Sequence, residues 1–547
     1  MIRELIKRDG TVVPYNPVTQ IKWAEWAADE NIDWFELVAE AYSRCPDRCT
    51  TKEYHQALIQ ACIDKETTKH NLMAGRLLMG ETYKQAFGGH KKIPSLDEMY
   101  GKMVGLGLWE DMGYTSEELL EIDYSVDHTK DLELTHSAVH QNNTKYAISD
   151  VHTKKVYESP TFTALRMALG SCKNEKINKV EEVLAYYNDF VNEIINTPTP
   201  NRINLGTPKR TYASCCVSTT LDTADSLAAA DHIAYLMTCA AAGQGTHLKT
   251  RSKGDGIRNN TIKHAGKLPY LRATKAMVHA NLQGGRGGAA TSHFNCLDPE
   301  IESLLRLAHP TTVVENQIRG IDYSFGYHPY FIEKEKIAAN WMLVSYKDSP
   351  ELYEAMYGSD KDKFKKLYDK YEKSDKPRKY INARKLAKLF LTMQEETGRL
   401  YEHNTWGLNY HTPFKDTIYS SNLCQEIGLP TSGYSSVTGL YDEKNETGEI
   451  GLCNLAAIVA GRIRNDKHYE NVAYRTLKMI DNVITDMDYP FPHLKKTAQA
   501  RRSVAVGITN LAHDLASKGL DYTSLKSKKY MHRLAETHSF FLHKAAI

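Results

Sequence analysis

Long apolar runs are missing from this chain of 547 residues. No stretch approaches the ~18 consecutive apolar residues that a membrane-spanning helix needs. The first residues, Met1-Ile2-Arg3-Glu4-Leu5-Ile6-Lys7-Arg8, place charges where a secretory leader needs its apolar centre, so a cytosolic location is expected. Charge of one sign is lacking too: 69 basic and 67 acidic residues leave a formal net charge of +2, too little to hold a polynucleotide backbone by a global field. Cysteine is sparse, ten in the whole chain, which excludes a disulfide-built scaffold. In a reducing compartment those residues stay thiols, so a cysteine pair with a role reads as catalytic rather than structural. Internal repeats and low-complexity segments are absent as well, and a 41% hydrophobic share is ordinary for a globular protein of roughly three to four domains.

Three regions differ in character. Residues 1–90 read as a small unit in which Lys7-Arg8-Asp9-Gly10 turns between two short strands, followed by helices around Ile21–Ala28 and Lys52–Ile63. Residues 91–205 are mainly helical. From about 206 to 547, strand-like runs such as Trp341–Tyr346 and Glu449–Leu455 alternate with amphipathic segments, which predicts an α/β architecture. Leu386, Leu389, Phe390 and Met393 fall at helical spacing before Gly398; Ile508, Leu511, Ala512 and Leu515 repeat the pattern before Gly519. Phe364, Leu367 and Tyr371 keep helical spacing through a lysine-rich stretch. An apolar stripe over Met531, Leu534, Ala535, Phe541, Leu542 and Ala545 carries no closing cap, the pattern expected of a layer that continues elsewhere.

The segment richest in chemistry is Ser421-Asn422-Leu423-Cys424-Gln425-Glu426. A carboxamide, a thiol and a carboxylate alternate at i, i+2 and i+4, so an extended loop would send all three to one side. Such a cysteine can be a nucleophile with a nearby base, or a hydrogen-atom carrier beside a carboxylate that deprotonates a substrate hydroxyl. Taken alone, a buried cysteine is more often a small hydrophobe. Cys453, within Gly451-Leu452-Cys453-Asn454-Leu455, and the pair Cys215-Cys216, within Tyr212-Ala213-Ser214-Cys215-Cys216-Val217, occupy two more short runs that can converge at one end of a barrel.

These segments, in this order, resemble the large subunit of class I ribonucleotide reductases. The resemblance extends to Thr197-Pro198-Thr199-Pro200, to the glycine-rich run Gln283–Thr291, to Glu315-Asn316-Gln317-Ile318-Arg319 with Asp322-Tyr323, and to Asp488-Tyr489-Pro490. It implies an N-terminal ATP-cone-like domain, a helical domain, and an incomplete ten-stranded α/β barrel. It also implies that Cys424 holds a transient thiyl radical, that Glu426 takes the 3′-hydroxyl proton, and that Asn422 binds the sugar hydroxyls. Cys216 and Cys453 would supply two electrons and end as a disulfide, with Cys216 chosen over Cys215 because it precedes Val217; Cys215 and Thr199 would line the substrate site.

The run Gln283–Thr291 lacks the Gly-Lys-Ser/Thr ending of a P-loop. The resemblance makes it a loop coupling an allosteric effector to substrate choice, with Arg286 reaching the nucleotide and Asp225, Arg251 and Arg258 forming the effector site. Gly243-Gln244-Gly245-Thr246-His247-Leu248 departs from the family pattern there. In the cone, Lys7, Asn16, Thr51 and His55 would bind ATP or a deoxynucleoside triphosphate with its Mg²⁺, although Val13 replaces an acidic residue and Gln20 a lysine. No metal is expected on this chain itself. The radical would come from a di-metal small subunit, and reductant from thioredoxin or glutaredoxin. Pairing of two copies would use the helix expected at Ser226–Ala241, and neither nucleic acid nor membrane is an expected partner. After Cys453 there is no further cysteine and no Tyr-Tyr pair. The expectation is therefore a split large subunit completed by a C-terminal fragment, the competing reading a silent nucleotide-binding remnant, and a third an oxygen-independent glycyl-radical reductase.

Overall fold

A computed structural model describes residues 2–283 and 286–547, without the side chains of 282, 283 and 286. The chain divides into two compact units, one of Met1–Arg210 with Ala457–Arg475 and Ile508–Ile547, the other of Thr211–Ala456 with Thr476–Gly507.

The first unit opens with a three-stranded sheet in which β1 (Glu4–Ile6) lies antiparallel to β2 (Val12–Pro14) and parallel to β3 (Arg48–Thr50). The Lys7–Gly10 turn joins β1 and β2 as its polar residues predict, with Gly10 at φ +84°. Thr50 opens the helix Thr51–Ile63 with a reciprocal cap, its hydroxyl accepting from Glu53 N while the Glu53 carboxylate accepts from Thr50 N. Leu5, Ala24, Tyr54, Leu58 and Leu77 form the small core beneath. Further helices follow, from Leu96–Gly105 to Thr199–Asn204, around the buried ion pair of Arg166 and Glu158. A two-residue strand, β4 (Ile195–Asn196), pairs with Ala457 and Ile458. The C-terminal helix, Leu525–Ala546, carries the expected apolar stripe, of which Phe541 stacks on Tyr469.

In the second unit, five strands run parallel in the order β5 (Cys215–Thr219), β6 (Gly243–His247), β11 (Ala290–Asn295), β12 (Asp322–Tyr327) and β15 (Leu400–Asn404). Parallel neighbours need long crossovers, and helices such as Ala224–Cys239, Leu268–His279 and Ala383–Thr397 provide them. Gly398 ends the last of these in the left-handed conformation, as its position predicts. Two short hairpins, β7 (Gly256–Ile257) with β8 (Ile262–Lys263) and β9 (Leu282–Gln283) with β10 (Arg286–Gly287), interrupt the crossovers. The run from Trp341 becomes β13 (Asn340–Leu343), which pairs with β14 (Lys379–Asn382) in a two-stranded sheet outside the main one. Beyond β5 the sheet reverses: β16 (Gly451–Val459) lies antiparallel to β5, and β17 (Val504–Thr509) follows it. Ile508 therefore belongs to a strand, and the helix expected from it begins at Leu511.

The sheet is thus a curled, incomplete barrel of seven strands in line from β15 to β17, with the short β4 beside β16 as an eighth, where ten strands were expected of a closed one. Register fixes what each face carries, because partners across parallel strands share a side. Thr291 pairs with Gly245 and Asp322, and His293 with His247 and Ser324; Ser324 in turn pairs with Tyr401, and Gly326 with His403. One face therefore carries Cys215, Gly243, Gly245, His247, Thr291, His293, Ser324 and His403. Among the described residues no helix is long and apolar enough to cross a membrane.

Candidate active site

The loop Ser421–Gly428 lies against that face because β6 offers it bare backbone. A Cβ on Gly243 would fall 2.5 Å from Leu423 Cδ2, and one on Gly245 would fall 2.2 Å from the Ser421 carbonyl oxygen. The alternation Gly243-x-Gly245, which looks like a departure in sequence, is what lets two backbones come this close. From β11, Thr291 Oγ1 donates to the Leu423 carbonyl at 2.7 Å.

The loop is also closed on itself. Ser421 bridges to Gly428, Ser421 Oγ donates to the Ile427 carbonyl at 2.6 Å, and Ile427 N donates to Asn422 Oδ1 at 3.2 Å. Gln425 N reaches the Asn422 carbonyl, and Gln425 itself is left-handed at φ +60°. This is a turn and not the extended loop that the i, i+2, i+4 spacing predicts. In consequence Asn422 is fully buried while Cys424 and Glu426 are exposed. Asn422 Nδ2 is buried and makes no well-formed hydrogen bond among the described residues, while its carboxamide acts on the Cys215 sulfur.

Cys453 stands directly opposite Cys215 in the β5–β16 register, while Cys216 stands opposite Leu452. The structure thus brings Cys215, and not the expected Cys216, beside Cys453. The reason is the alternation of a strand: Cys216 points to the other face, where its Sγ donates to Gln244 Oε1 at 2.9 Å and burial pushes its thiol up. A hydrogen bond from the Cys453 thiol holds Cys215 below the ordinary thiol range against the opposing effect of burial, with the Asn422 carboxamide and Leu423 amide acting in the same direction. The same bond to Cys215, together with burial, drives Cys453 well above that range. Glu426 is close enough for its charge to act on both sulfurs. All ten cysteines are outside disulfides. Tyr401 on β15 is near Cys424 and Glu426; burial raises its phenol, and Asp322 and those two groups add to the effect.

The other expected residues are scattered. Arg251 forms a bidentate pair with Asp222, at 2.9 Å between Nη2 and Oδ2, and donates to the Gly256 carbonyl, so its guanidinium is engaged within the fold. Asp225 is exposed in the first turn of Ala224–Cys239, and Arg258 is exposed between β7 and β8 at φ +49°. Among the described residues no bond joins Asp225 to Arg251 or Arg258. Gly284, Gly285 and the Arg286 side chain lie outside the described residues. Thr199, in the first unit, begins the short helix Thr199–Asn204 and is half-buried.

Also in the first unit, a cavity of about 790 Å³ is lined by Lys7, Thr51 and His55 together with Trp23, Trp26 and Lys84. The two indoles stack at 4.8 Å, and Trp23 Nε1 donates to His55 Nδ1. Asn16 is not part of this lining; its side chain caps the helix Pro17–Ala27 instead. Trp23 and Trp26 stand at i, i+3 on the helix Pro17–Ala27, a spacing the sequence does show, whereas the Ser324 and His403 contact near the loop forms only across strands.

Residues 213–547 match the family model described as ribonucleotide reductase, barrel domain. The ribonucleoside-diphosphate reductase alpha subunit of Buchnera aphidicola subsp. Schizaphis graminum is 32% identical, the alignment covering 99% of this chain and 72% of that protein. The alpha subunit of Enterobacteria phage T4 and the reductase 1 alpha subunit of Escherichia coli K12 are each 30% identical with the same coverage.

Proposed function

This chain belongs to the ribonucleotide reductase family, and we propose that its second unit carries the thiol site that reduces the ribose of a ribonucleoside diphosphate. The observation that carries this reading is the Cys215–Cys453 pair, hydrogen-bonded thiol to thiol next to Asn422 and Glu426. Cys424, as a thiyl radical, takes the 3′-hydrogen atom. Glu426 accepts the 3′-hydroxyl proton, and the 2′-hydroxyl leaves as water. Asn422 Nδ2, buried with no well-formed hydrogen bond among the described residues, holds a sugar hydroxyl. Cys215 and Cys453 give up two electrons and their protons and end as a disulfide, and Cys424 returns its hydrogen to C3′. The product is one deoxyribonucleotide, one water and one disulfide, which thiol exchange with thioredoxin or glutaredoxin must reopen. Cys215 replaces Cys216 as the redox partner in this scheme.

The radical is supplied by a separate di-metal small subunit, and the barrel is completed by a C-terminal fragment that adds strands at the β15 and β17 edges. Two copies pair through the helix Ala224–Cys239. The cavity over Lys7, Thr51 and His55 takes a nucleoside triphosphate with its Mg²⁺: Lys7, Arg8, Lys22, Lys52 and Lys84 answer the phosphates, and the stacked indoles offer an aromatic wall to the base.

Product formation from CDP, with the small subunit and C-terminal fragment added, tests the scheme. Wild type is expected to yield dCDP and Cys424→Ser none; turnover by Cys424→Ser would remove the radical role of that thiol.

A further inference from the structure

Gln425 stands between the two groups assigned to the ribose, Cys424 and Glu426, and its backbone occupies the left-handed region that a glycine tolerates best. Its side chain is not loose. Nε2 donates to Ser324 Oγ at 2.5 Å, and Ser324 Oγ shares a 2.9 Å hydrogen bond with His403 Nδ1. Ser324 and His403 come from adjacent strands, β12 and β15, and are 0% and 7% exposed. Space for the imidazole exists only because residue 326 is glycine, where a Cβ would fall 2.9 Å from the ring.

The direction of this chain follows from its donors. A Gln425 N–H given to Ser324 leaves the serine hydroxyl to donate onward, so His403 Nδ1 accepts and the ring proton sits on Nε2. That requires a neutral imidazole, and burial lowers its pKa to about 4. Nε2 has no partner among the described residues, so the chain ends inside the barrel rather than at solvent. An apolar side chain at position 425 would leave the buried Ser324 hydroxyl without its donor, so the carboxamide completes a polar chain that the two strands have already buried.

We infer that Gln425 is a positioning residue, whose tether through Ser324 to His403 fixes the turn that presents Cys424 and Glu426 to the substrate. This rests on the roles proposed above for those two residues. The tether adds a hold on the side away from Cys215, so that the loop is fixed by close approach to β6, by the Thr291 hydrogen bond from β11 and by hydrogen bonding to β12.

The reconstituted complex with small subunit and C-terminal fragment, turning over CDP, tests this with Gln425→Leu, Gln425→Gly and Ser324→Ala. Gln425→Gly keeps a residue at ease in the left-handed turn while removing the whole side chain, and Gln425→Leu keeps the side-chain bulk while removing the amide. Both Gln425 variants are expected to lower kcat about tenfold or more with KM within about twofold of wild type. Ser324→Ala is expected to lower kcat alone and to add nothing further on top of Gln425→Leu. In the isolated chain, alkylation of exposed Cys424 is expected to rise about threefold or more in all three variants as the turn loosens. Wild-type kcat and wild-type alkylation in Gln425→Gly would overturn the tether, as would additive losses in the double variant. Turnover by Cys424→Ser would instead overturn the reading of the site on which the tether rests.

Discussion

Cys215 and Cys453 face one another across the antiparallel β5–β16 pair, and each sets the acidity of the other. Directly opposed residues in such a pair have Cα atoms about 4.5–5.5 Å apart, inside the range of roughly 4.4–6.8 Å that a disulfide spans. A bond between them therefore needs little backbone movement. Mild oxidation by a small disulfide is expected to close Cys215–Cys453 and leave Cys216 reduced, read by mass spectrometry of proteolytic fragments. Cys216→Ser should leave that closure intact and Cys215→Ser should prevent it. A Cys216–Cys453 bond as the main product would reverse the assignment.

A carboxylate in the same unit gives a pH signature. Asp231, on the helix Ala224–Cys239, accepts from the Thr274 hydroxyl at 3.0 Å, its one hydrogen-bond donor among the described residues, and burial raises its pKa from 3.8 to about 6. The folded chain holds this proton more tightly than the unfolded chain. The group's stabilising share is thus complete below the unfolded value and is lost as pH rises through about 6. The shift is nominally worth about 3 kcal/mol, and ~1–2 kcal/mol after allowance for its partial exposure to solvent. Asp231→Asn keeps an oxygen to accept from Thr274 and removes the charge. It is expected to stabilise the protein by ~1–2 kcal/mol at pH 7.5 and by little at pH 4, measured as the difference in urea midpoint. Equal effects at the two pH values would show that the charge is not the cause.

In the first unit, Arg166 and Glu158 are both fully buried, 3.0 Å apart. Arg166 also donates to the carbonyls of Arg202, Ile203 and Leu205, and Trp109 Nε1 donates to Glu158 at 3.1 Å. The guanidinium therefore closes backbone acceptors at the C-terminal end of the helix Thr199–Asn204 as well as one carboxylate. Arg166→Met leaves that carboxylate buried without its cation and is expected to cost about 3–5 kcal/mol in a denaturant melt. Replacing both partners, Arg166→Met with Glu158→Met, should recover part of the loss, since the orphaned charge goes too. If the double variant is no more stable than Arg166→Met, the backbone carbonyls rather than the ion pair dominate.

How far these features show in the sequence depends on the range over which they are built. The helix Ala383–Thr397 and its stop at Gly398 are local, and Leu386, Leu389, Phe390 and Met393 display them plainly. Ser421–Glu426 is also local, and its residue types point to the site, yet the left-handed Gln425 that turns the loop is invisible to spacing rules. The choice between Cys215 and Cys216 hinges on strand register, where a slip of one residue exchanges the two faces, and register is set by partners distant in sequence. The Gln425–Ser324–His403 chain spans separations of 101 and 79 residues, so it exists only once the strands are side by side. Ile508 fits a helical stripe and an alternating strand equally; the β-branched run Val504–Thr509 and left-handed Asn510 decide for the strand.

Gly245 offers the sharpest test of how the loop is seated. An added Cβ would meet the Ser421 carbonyl oxygen at 2.2 Å and Asn422 Cα at 2.8 Å, both backbone atoms that no rotamer change can move. Gly245→Ala must therefore push the loop away from β6, carrying Asn422 from Cys215 and straining the turn that displays Cys424. Overpacking of this kind costs about 1–3 kcal/mol. Displacement by an ångström at a reacting centre can cost roughly 10²-fold in rate. Gly245→Ala is accordingly expected to melt only slightly early while losing nearly all turnover. Gly101→Ala, in a helix with open space around the new methyl, should keep full turnover and gain up to about 1 kcal/mol from helix propensity. Full activity in Gly245→Ala would mean that the loop does not depend on its contact with β6 for placement, and that β11 and β12 alone hold Cys424 where the ribose meets it.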